Sequence, residues 1–273
     1  MITQNLHMHS TWDDGSCSVE EMILASKAAG LTSVGLSVHA PMCFPNGWEC
    51  PREKLADYRR EVLALKEKYR GQIDVYLGVE WDVMSDIDLS PYDYVIGSVH
   101  QLPIEGFPSV DYRPQETACF IAGHFGGDAD AAAEMYFAEL GKVAENPQVD
   151  IAGHFDLITK FDEQHAFFNP QSPRYKSAAL AAMEKLVRAG KIFEINTGAI
   201  SRGYRTAPYP SRELLLALRE MGGRITVSAD AHHTSGVVCA FDAAQKLAKE
   251  CGFKEIWVLS NQNGQNEFIP VSF

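Results

Sequence analysis

Eight short runs rich in β-branched and apolar residues, each followed by a polar turn or a stretch with helical spacing, set the pattern of this chain. They are residues 2–7, 33–39, 74–80, 94–100, 149–154, 191–196, 224–230 and 255–260. Such alternation predicts βα units around a parallel sheet or barrel, and 273 residues suffice for one large α/β barrel. The intervening segments carry helix signals. Ser18 and Glu21 make a capping box ahead of a segment that stops at Gly30. Residues 51–70 space Leu55, Tyr58, Val62, Leu65 and Tyr69 three and four apart, with Pro51 suited to the first turn. Residues 129–145, 175–189, 211–221 and 236–251 read as further crossover helices. Residues 101–128 differ: Pro103, Pro108, Pro114, Gly126 and Gly127 break any regular period, so a lid or insertion is expected within a single domain spanning 1–273.

What ends these strands is more informative than the strands themselves. His7, His39, Glu80, His100, His154, Asn196 and Asp230 close seven of the runs, and His9 and His232 lie two residues beyond two of them. In a parallel α/β barrel the C-terminal strand ends converge on one mouth, so residues far apart in sequence face one another there. Alternate residues of a strand share a face, so both imidazoles of the His7-Met8-His9 string can reach one ion, and Asp230 and His232 repeat that spacing. Any one of these histidines could be a satisfied packing residue; together with Glu80 they point to a metal centre, because neutral imidazoles and carboxylates suit zinc, iron and manganese.

Charge and cysteine usage narrow the function classes. Thirty-six acidic against twenty-four basic residues, net −12, disfavour a nucleic-acid partner. No run approaches the ~20 apolar residues of a membrane span, and Met1 leads directly into ITQNLHMHS, so no membrane association and a cytoplasmic location are expected. The six cysteines form no CxxC pair and read as reduced packing thiols.

The strings HMHSTWDDG (7–15), SVHAP (37–41), GVEWD (78–82), GSVH (97–100), GHFD (153–156), EINTG (194–198) and SADAH (228–232) resemble, in order, the motifs of the PHP (polymerase and histidinol phosphatase) metallohydrolases, most closely the histidinol-phosphatase type. The resemblance implies a distorted (β/α)7 barrel, with the eighth run peripheral or an extra closing segment, and a site for two to three divalent ions at the C-terminal strand ends. By the same resemblance one ion takes His7, His9, Glu80 and Asp230; a second shares Glu80 and takes His100 and His154; a third takes Asp14, His39 and His232. Adjacent Asp13 competes with Asp14 for that role.

It also implies the activity: hydrolysis of L-histidinol phosphate, a small-molecule ester, to L-histidinol and phosphate in histidine biosynthesis. Metal-bound hydroxide is the expected nucleophile, since bound ions lower the pKa of water toward neutrality, with His7, His9, Glu80, His100, Asp230 and His232 as the residues that carry catalysis. Ser10 and Ser37 lie near these ligands but are not needed as nucleophiles. The alternatives are a PHP phosphoesterase acting on another phosphate ester or nucleotide and, further off, a non-catalytic metal-binding module. Arg donates paired hydrogen bonds to phosphate, which makes Arg202 the first candidate for substrate binding, with Lys160 and Arg205 beside it. Glu105, Phe107, Asp111, Tyr112, Phe120, Phe125, Asp128, Asp162, Trp12, Phe44 and Trp48 are the carboxylates and aromatics available to an amine and an imidazole. His124 and His165 read as surface or packing residues, and His233 points away from the site.

Overall fold

The computed structural model of the chain describes residues 2–262 and 264–273. Seven parallel strands, β1 (Gln4–Asn5), β2 (Ser33–His39), β3 (Asp74–Asp82), β4 (Tyr94–Ser98), β5 (Ile151–Ala152), β6 (Ile192–Asn196) and β7 (Arg224–Ser228), pair in sequence order. Beyond β1 and β7 a parallel bridge joins Met8 to Ala231, where the Ala231 N–H donates to His7 O at 3.2 Å and the His9 N–H to Ala231 O at 2.9 Å. The ring is therefore nearly closed, and the seam is made by the two segments that carry the paired ligand spacings.

Nine α-helices connect the described strands: α1 (Val19–Ala28), α2 (Leu55–Lys68), α3 (Pro114–Phe125), α4 (Ala129–Leu140), α5 (Asp162–His165), α6 (Pro173–Arg188), α7 (Gly198–Ser201), α8 (Arg212–Glu220) and α9 (Phe241–Glu250). The capping box of α1 forms as expected, and α2 buries Leu55, Tyr58, Val62 and Leu65. Two expectations need correction. Residues 101–128 are not irregular throughout, because Pro114 sits in the first turn of α3 and Gly126, at φ 60°, ends it; here proline and glycine punctuate a helix instead of preventing one. The final crossover helix starts at Phe241, five residues later than residue 236, after a 3₁₀ turn over Thr234–Gly236 capped by the side chain of His233. No helix among the described residues is long and apolar enough to cross a membrane.

The eighth run stands outside the ring. β8 (Glu255–Gln262) pairs antiparallel with β9 (Gln265–Ser272), a hairpin that closes the N-terminal end of the barrel. Leu259 packs with Leu6, Tyr76, Tyr94, Ile96, Ile151 and Ile192 in an apolar cluster separate from the main core. The Gln4 side chain clamps it on both sides, donating to Leu259 O and accepting from its N–H, each at 2.8 Å. Within the barrel the Tyr94 side chain lies against Gly35 and Gly78, where a Cβ would come within 2.2 Å of its hydroxyl and 2.1 Å of its ring, so only glycine admits it.

Candidate metal centre

Polar side chains occupy the opposite end. His7 and His9 follow β1, His39 ends β2, Glu80 lies in β3, His100 follows β4, His154 follows β5, and Asp230 and His232 follow β7. Among the described residues, ligand atoms gather within 4.8 Å of one another in four groups: His9, Asp14, His39 and His232; His7, His9 and Asp230; His7, Glu80 and His154; and His39, Glu80 and His100. All nine residues expected as ligands are thus in one place. The groups overlap more than the three implied sets, since His9 belongs to the Asp14 group as well and His39 also reaches Glu80 Oε2, at 2.9 Å.

The imidazoles are aimed from behind. His7 Nδ1 lies 2.9 Å from Glu194 Oε2, His9 Nδ1 2.7 Å from Asp13 Oδ2, and His100 Nδ1 3.3 Å from Asp82 Oδ2. An ionised carboxylate only accepts, so each Nδ1 carries the hydrogen and each Nε2 is turned inward. His232 is held in the opposite sense: Arg202 Nη1 donates to its Nδ1 at 2.9 Å, leaving Nε2 facing Asp14 Oδ1 at 3.1 Å. Asp13 is spent on this support, its two oxygens also accepting the N–H groups of Ser10 (2.9 Å) and His39 (3.0 Å). Of the adjacent pair, Asp14 is the one left free to face the cluster.

His7 Nε2, His9 Nε2 and Glu80 Oε2 are buried and have no hydrogen-bond partner, although His7 Nε2 and Glu80 Oε2 are 3.0 Å apart. The short separation lacks hydrogen-bond geometry, so these inward nitrogens face carboxylate oxygens without a bond between them. Buried polar atoms without partners are costly, and a divalent cation satisfies this donor set. Electrostatics agree. Burial would raise the Glu80 and Asp230 carboxyls, but His7, His39 and His100 hold Glu80 well below the carboxylate range, as Arg202 and His7 hold Asp230. Burial would lower His9, yet the Asp13 carboxylate carries it up to about 10. Asp230 also sits at φ 47°, a strained conformation for a residue with a Cβ, and this turns its carboxylate into the mouth.

The cluster opens into a cavity of about 580 Å³ whose wall includes Trp48, Gln101, Asp111, Tyr112, Glu116, Lys160, Arg202 and Tyr204. The expected substrate cations fare differently. Arg202 lines the cavity but is engaged with Asp230 Oδ2 at 2.9 Å, and Lys160 lines it while donating to Asp111 O at 2.7 Å. Arg205 does not reach the wall: its guanidinium stacks on Tyr209, 4.4 Å from the ring centroid, and bonds Thr159 Oγ1, drawn inward by the buried Asp156 carboxylate. Of the carboxylates and aromatics singled out above, Trp48, Asp111 and Tyr112 line the cavity, whereas Glu105, Phe107, Phe120, Phe125, Asp128, Asp162, Trp12 and Phe44 do not. His124, His165 and His233 are exposed, Ser37 Oγ is bonded to the Met8 backbone, and neither Ser10 nor Ser37 lines the cavity.

Sequence reasoning passed over the supporting carboxylates. Glu194 lies wholly buried in β6, its oxygens meeting His7 Nδ1, the His154 N–H (2.7 Å) and Ser228 Oγ (2.6 Å). A signal existed: Glu194 and Asn196 share one face of a strand whose alternate residues, Phe193 and Ile195, are apolar.

A family model described as the PHP domain matches residues 5–198. The histidinol-phosphatase of Lactococcus lactis is 24% identical over 271 residues, 93% of each chain. A Deinococcus radiodurans protein named "Probable histidinol-phosphatase" is 28% identical over 246 residues, 86% of this chain and 88% of the other. A crystal structure of histidinol phosphate phosphatase from Lactococcus lactis, complexed with zinc, L-histidinol and phosphate, superposes with a TM-score of 0.72 at 22% identity over 97% of this chain and 98% of that one. The family match runs over the strands that carry His7, His9, Asp14, His39, Glu80, His100 and His154 and takes in more than half of the sequence, so the chain belongs to the PHP family.

Proposed function

We propose that this chain is a metal-dependent phosphomonoesterase of the histidinol-phosphatase type, hydrolysing L-histidinol phosphate to L-histidinol and phosphate in the cytoplasm. One observation carries the reading: an intact set of nine histidines and carboxylates, with His7 Nε2 and His9 Nε2 buried and unpartnered, opening into a cavity walled by Lys160 and Arg202. Relatives named as histidinol-phosphatases over most of their length supply the substrate. Six free cysteines suit a reducing compartment.

Two to three divalent ions drawn from zinc, manganese and iron fit the overlapping groups, which share His7, His9, His39 and Glu80. When bound, such ions supply Lewis acidity toward phosphoryl oxygens and a water of lowered pKa. The protein supplies everything else. Glu194, Asp13 and Asp82 hold the imidazole tautomers from behind. Arg202 orients Asp230 and His232, and with Lys160 keeps positive charge at the wall where a phosphate enters. His7, His9, Glu80 and His154 are buried, where electrostatic contacts are stronger than in water, while Asp14 is exposed at the mouth.

The reading is tested by chelating the protein, restoring zinc, manganese or iron, and following phosphate release from L-histidinol phosphate beside sugar phosphates, nucleotides and single-stranded DNA. L-Histidinol phosphate is expected to lead in kcat/KM by roughly two orders of magnitude or more. A different leading ester overturns the substrate, and no hydrolysis by any reconstituted form overturns the enzyme.

A further inference from the structure

A second cavity, of about 490 Å³, opens between the turn that joins α8 to β7 and the segment that leads from α9 into β8. Arg224 opens β7 and Asp230 follows the other end of that strand, so this cavity and the metal centre lie at opposite ends of the barrel. Three cationic side chains, Arg219, Arg224 and Lys254, line it beside Phe253 and Trp257, against a single carboxylate, Glu255. The chain as a whole carries net −12, so a wall of this sign is a local arrangement and not a consequence of composition.

The backbone brings the two arginines to one wall. At Gly223 a Cβ would lie 2.1 Å from Leu218 Cδ1, so the turn folds directly onto the end of α8, and Arg219, in the last turn of that helix, lines the same space as Arg224. Arg219 is fixed by one bond, its Nε donating to Gly252 O at 3.0 Å, and its two terminal NH2 groups have no partner among the described residues. The Arg224 guanidinium lies over the Trp257 ring, 4.6 Å from the centroid, and makes no hydrogen bond or ion pair among the described residues. It is part-buried, and burial lowers its pKa with no neighbouring carboxylate to oppose the shift. Elsewhere Arg52, Arg174 and Arg202 each meet a carboxylate. A part-buried guanidinium without an anion loses hydration that nothing in the protein replaces.

Two guanidiniums with free N–H groups on one wall match a doubly charged oxyanion, since each can donate paired hydrogen bonds to it. The volume falls within the range of small-molecule sites, and Phe253 and Trp257 give part of the wall an apolar surface. We infer that this cavity is a binding site for a phosphate group, free or carried on a small organic molecule, held by Arg219 and Arg224 with Lys254 adding charge. The site is separate from the metal centre and does not depend on the phosphatase reading above.

The test uses phenylphosphonate, which has no ester bond to hydrolyse, and inorganic phosphate. Binding is measured by titration calorimetry on the metal-reconstituted protein and on its Asp230→Ala variant, whose mouth is impaired. Both proteins are expected to bind phenylphosphonate, and binding to the Asp230→Ala protein should weaken about tenfold or more when Arg224→Gln or Arg219→Gln is added. Lys254→Gln should weaken it less. Arg219 and Lys254 are exposed, so their variants test the site even where Arg224→Gln disturbs β7. In the otherwise native protein Arg219→Gln should leave turnover at the metal centre unchanged. Tighter binding of phenylphosphonate than of phosphate assigns the site to an organic phosphate, and equal binding assigns it to the free ion. An isotherm that both arginine variants leave unaltered overturns the site, as does the absence of any binding to the Asp230→Ala protein at millimolar ligand.

Discussion

The two ends of the barrel are built from the same seven strands and do opposite work. At the N-terminal end Leu6, Tyr76, Tyr94, Ile96, Ile151 and Ile192 meet Leu259 of the hairpin in an apolar plug, with the Gln4 amide satisfied by the Leu259 backbone. At the C-terminal end the same strands finish in histidines and carboxylates, and His7 Nε2, His9 Nε2 and Glu80 Oε2 among their inward atoms have no hydrogen-bond partner. The plug removes apolar area from water at roughly 25 cal/mol per Å², while the cluster keeps ionisable groups out of water at a cost the fold must offset. Stability is concentrated at one end and chemistry at the other, and each is expected to fail separately.

The largest expected effect is at the mouth. Asp230→Ala removes a carboxylate that faces His7 and His9, at 3.7 and 3.4 Å, and should reduce kcat/KM by about a thousandfold or more, over 4 kcal/mol in transition-state stabilisation, together with bound metal. Phosphate release with metal analysis reads this; wild-type turnover in a metal-depleted Asp230 variant would remove the mechanism. At the other end Leu259→Ala should cost about 2–5 kcal/mol in urea unfolding, by opening a cavity in the plug, while the folded fraction keeps its turnover. A loss of kcat with unchanged stability would erase the distinction between the two ends.

A smaller effect should come from the support behind the cluster. Glu194→Gln keeps the shape but weakens the acceptor for His7 Nδ1, and metal affinity should fall roughly 10- to 100-fold by competition with a chromogenic chelator. Unaltered affinity would make Glu194 a packing group. The smallest lies at Asp162, a carboxyl outside the cluster whose Oδ1 accepts from Phe167 and Phe168 at 3.2 and 3.3 Å while Oδ2 is buried without a partner. Burial pushes it up to about 6. The folded state therefore keeps a proton that the unfolded chain, near pH 4, has released, so this group's contribution to stability is complete at low pH and lost as pH rises from about 4 to 6. Asp162→Asn should remove that slope and gain about 1–2 kcal/mol over the native protein at pH 7. Parallel stability curves for the two proteins would show that Asp162 pays no burial cost.

Most of the strands and the strand-end histidines and carboxylates of the cluster were legible because each rests on a local rule, whereas Asp14 came only through the family resemblance. A run such as SVGLSVH sets Val34, Leu36 and Val38 on one face and the small or polar Ser33, Gly35, Ser37 and His39 on the other, all buried in the structure, and a strand-end His or Asp can be read from the run it terminates. The punctuation of residues 101–128 was misread because proline and glycine mark helix ends as readily as loops, and only the packing of Thr117, Phe120 and Ile121 shows α3. Glu194 carries a local signal in its alternation with Phe193 and Ile195, but its role comes from His7 and His154, which are distant in sequence. Arg205 was misplaced for the converse reason, a loop position suggesting a side-chain direction that Tyr209, Thr159 and Asp156 decide.

The sequence alone determined the alternation of elements, the residue types at the strand ends and, through them, the metal chemistry, because strand and helix periodicity act within a few residues. Tertiary structure alone decided which aspartate faces the cluster, which nitrogen of each imidazole is turned inward, which cations reach the cavity and that the eighth run plugs the barrel. Those outcomes depend on contacts between segments tens to hundreds of residues apart, such as Gln4 with Leu259 and Glu194 with His7, whose geometry exists only once the ring has closed.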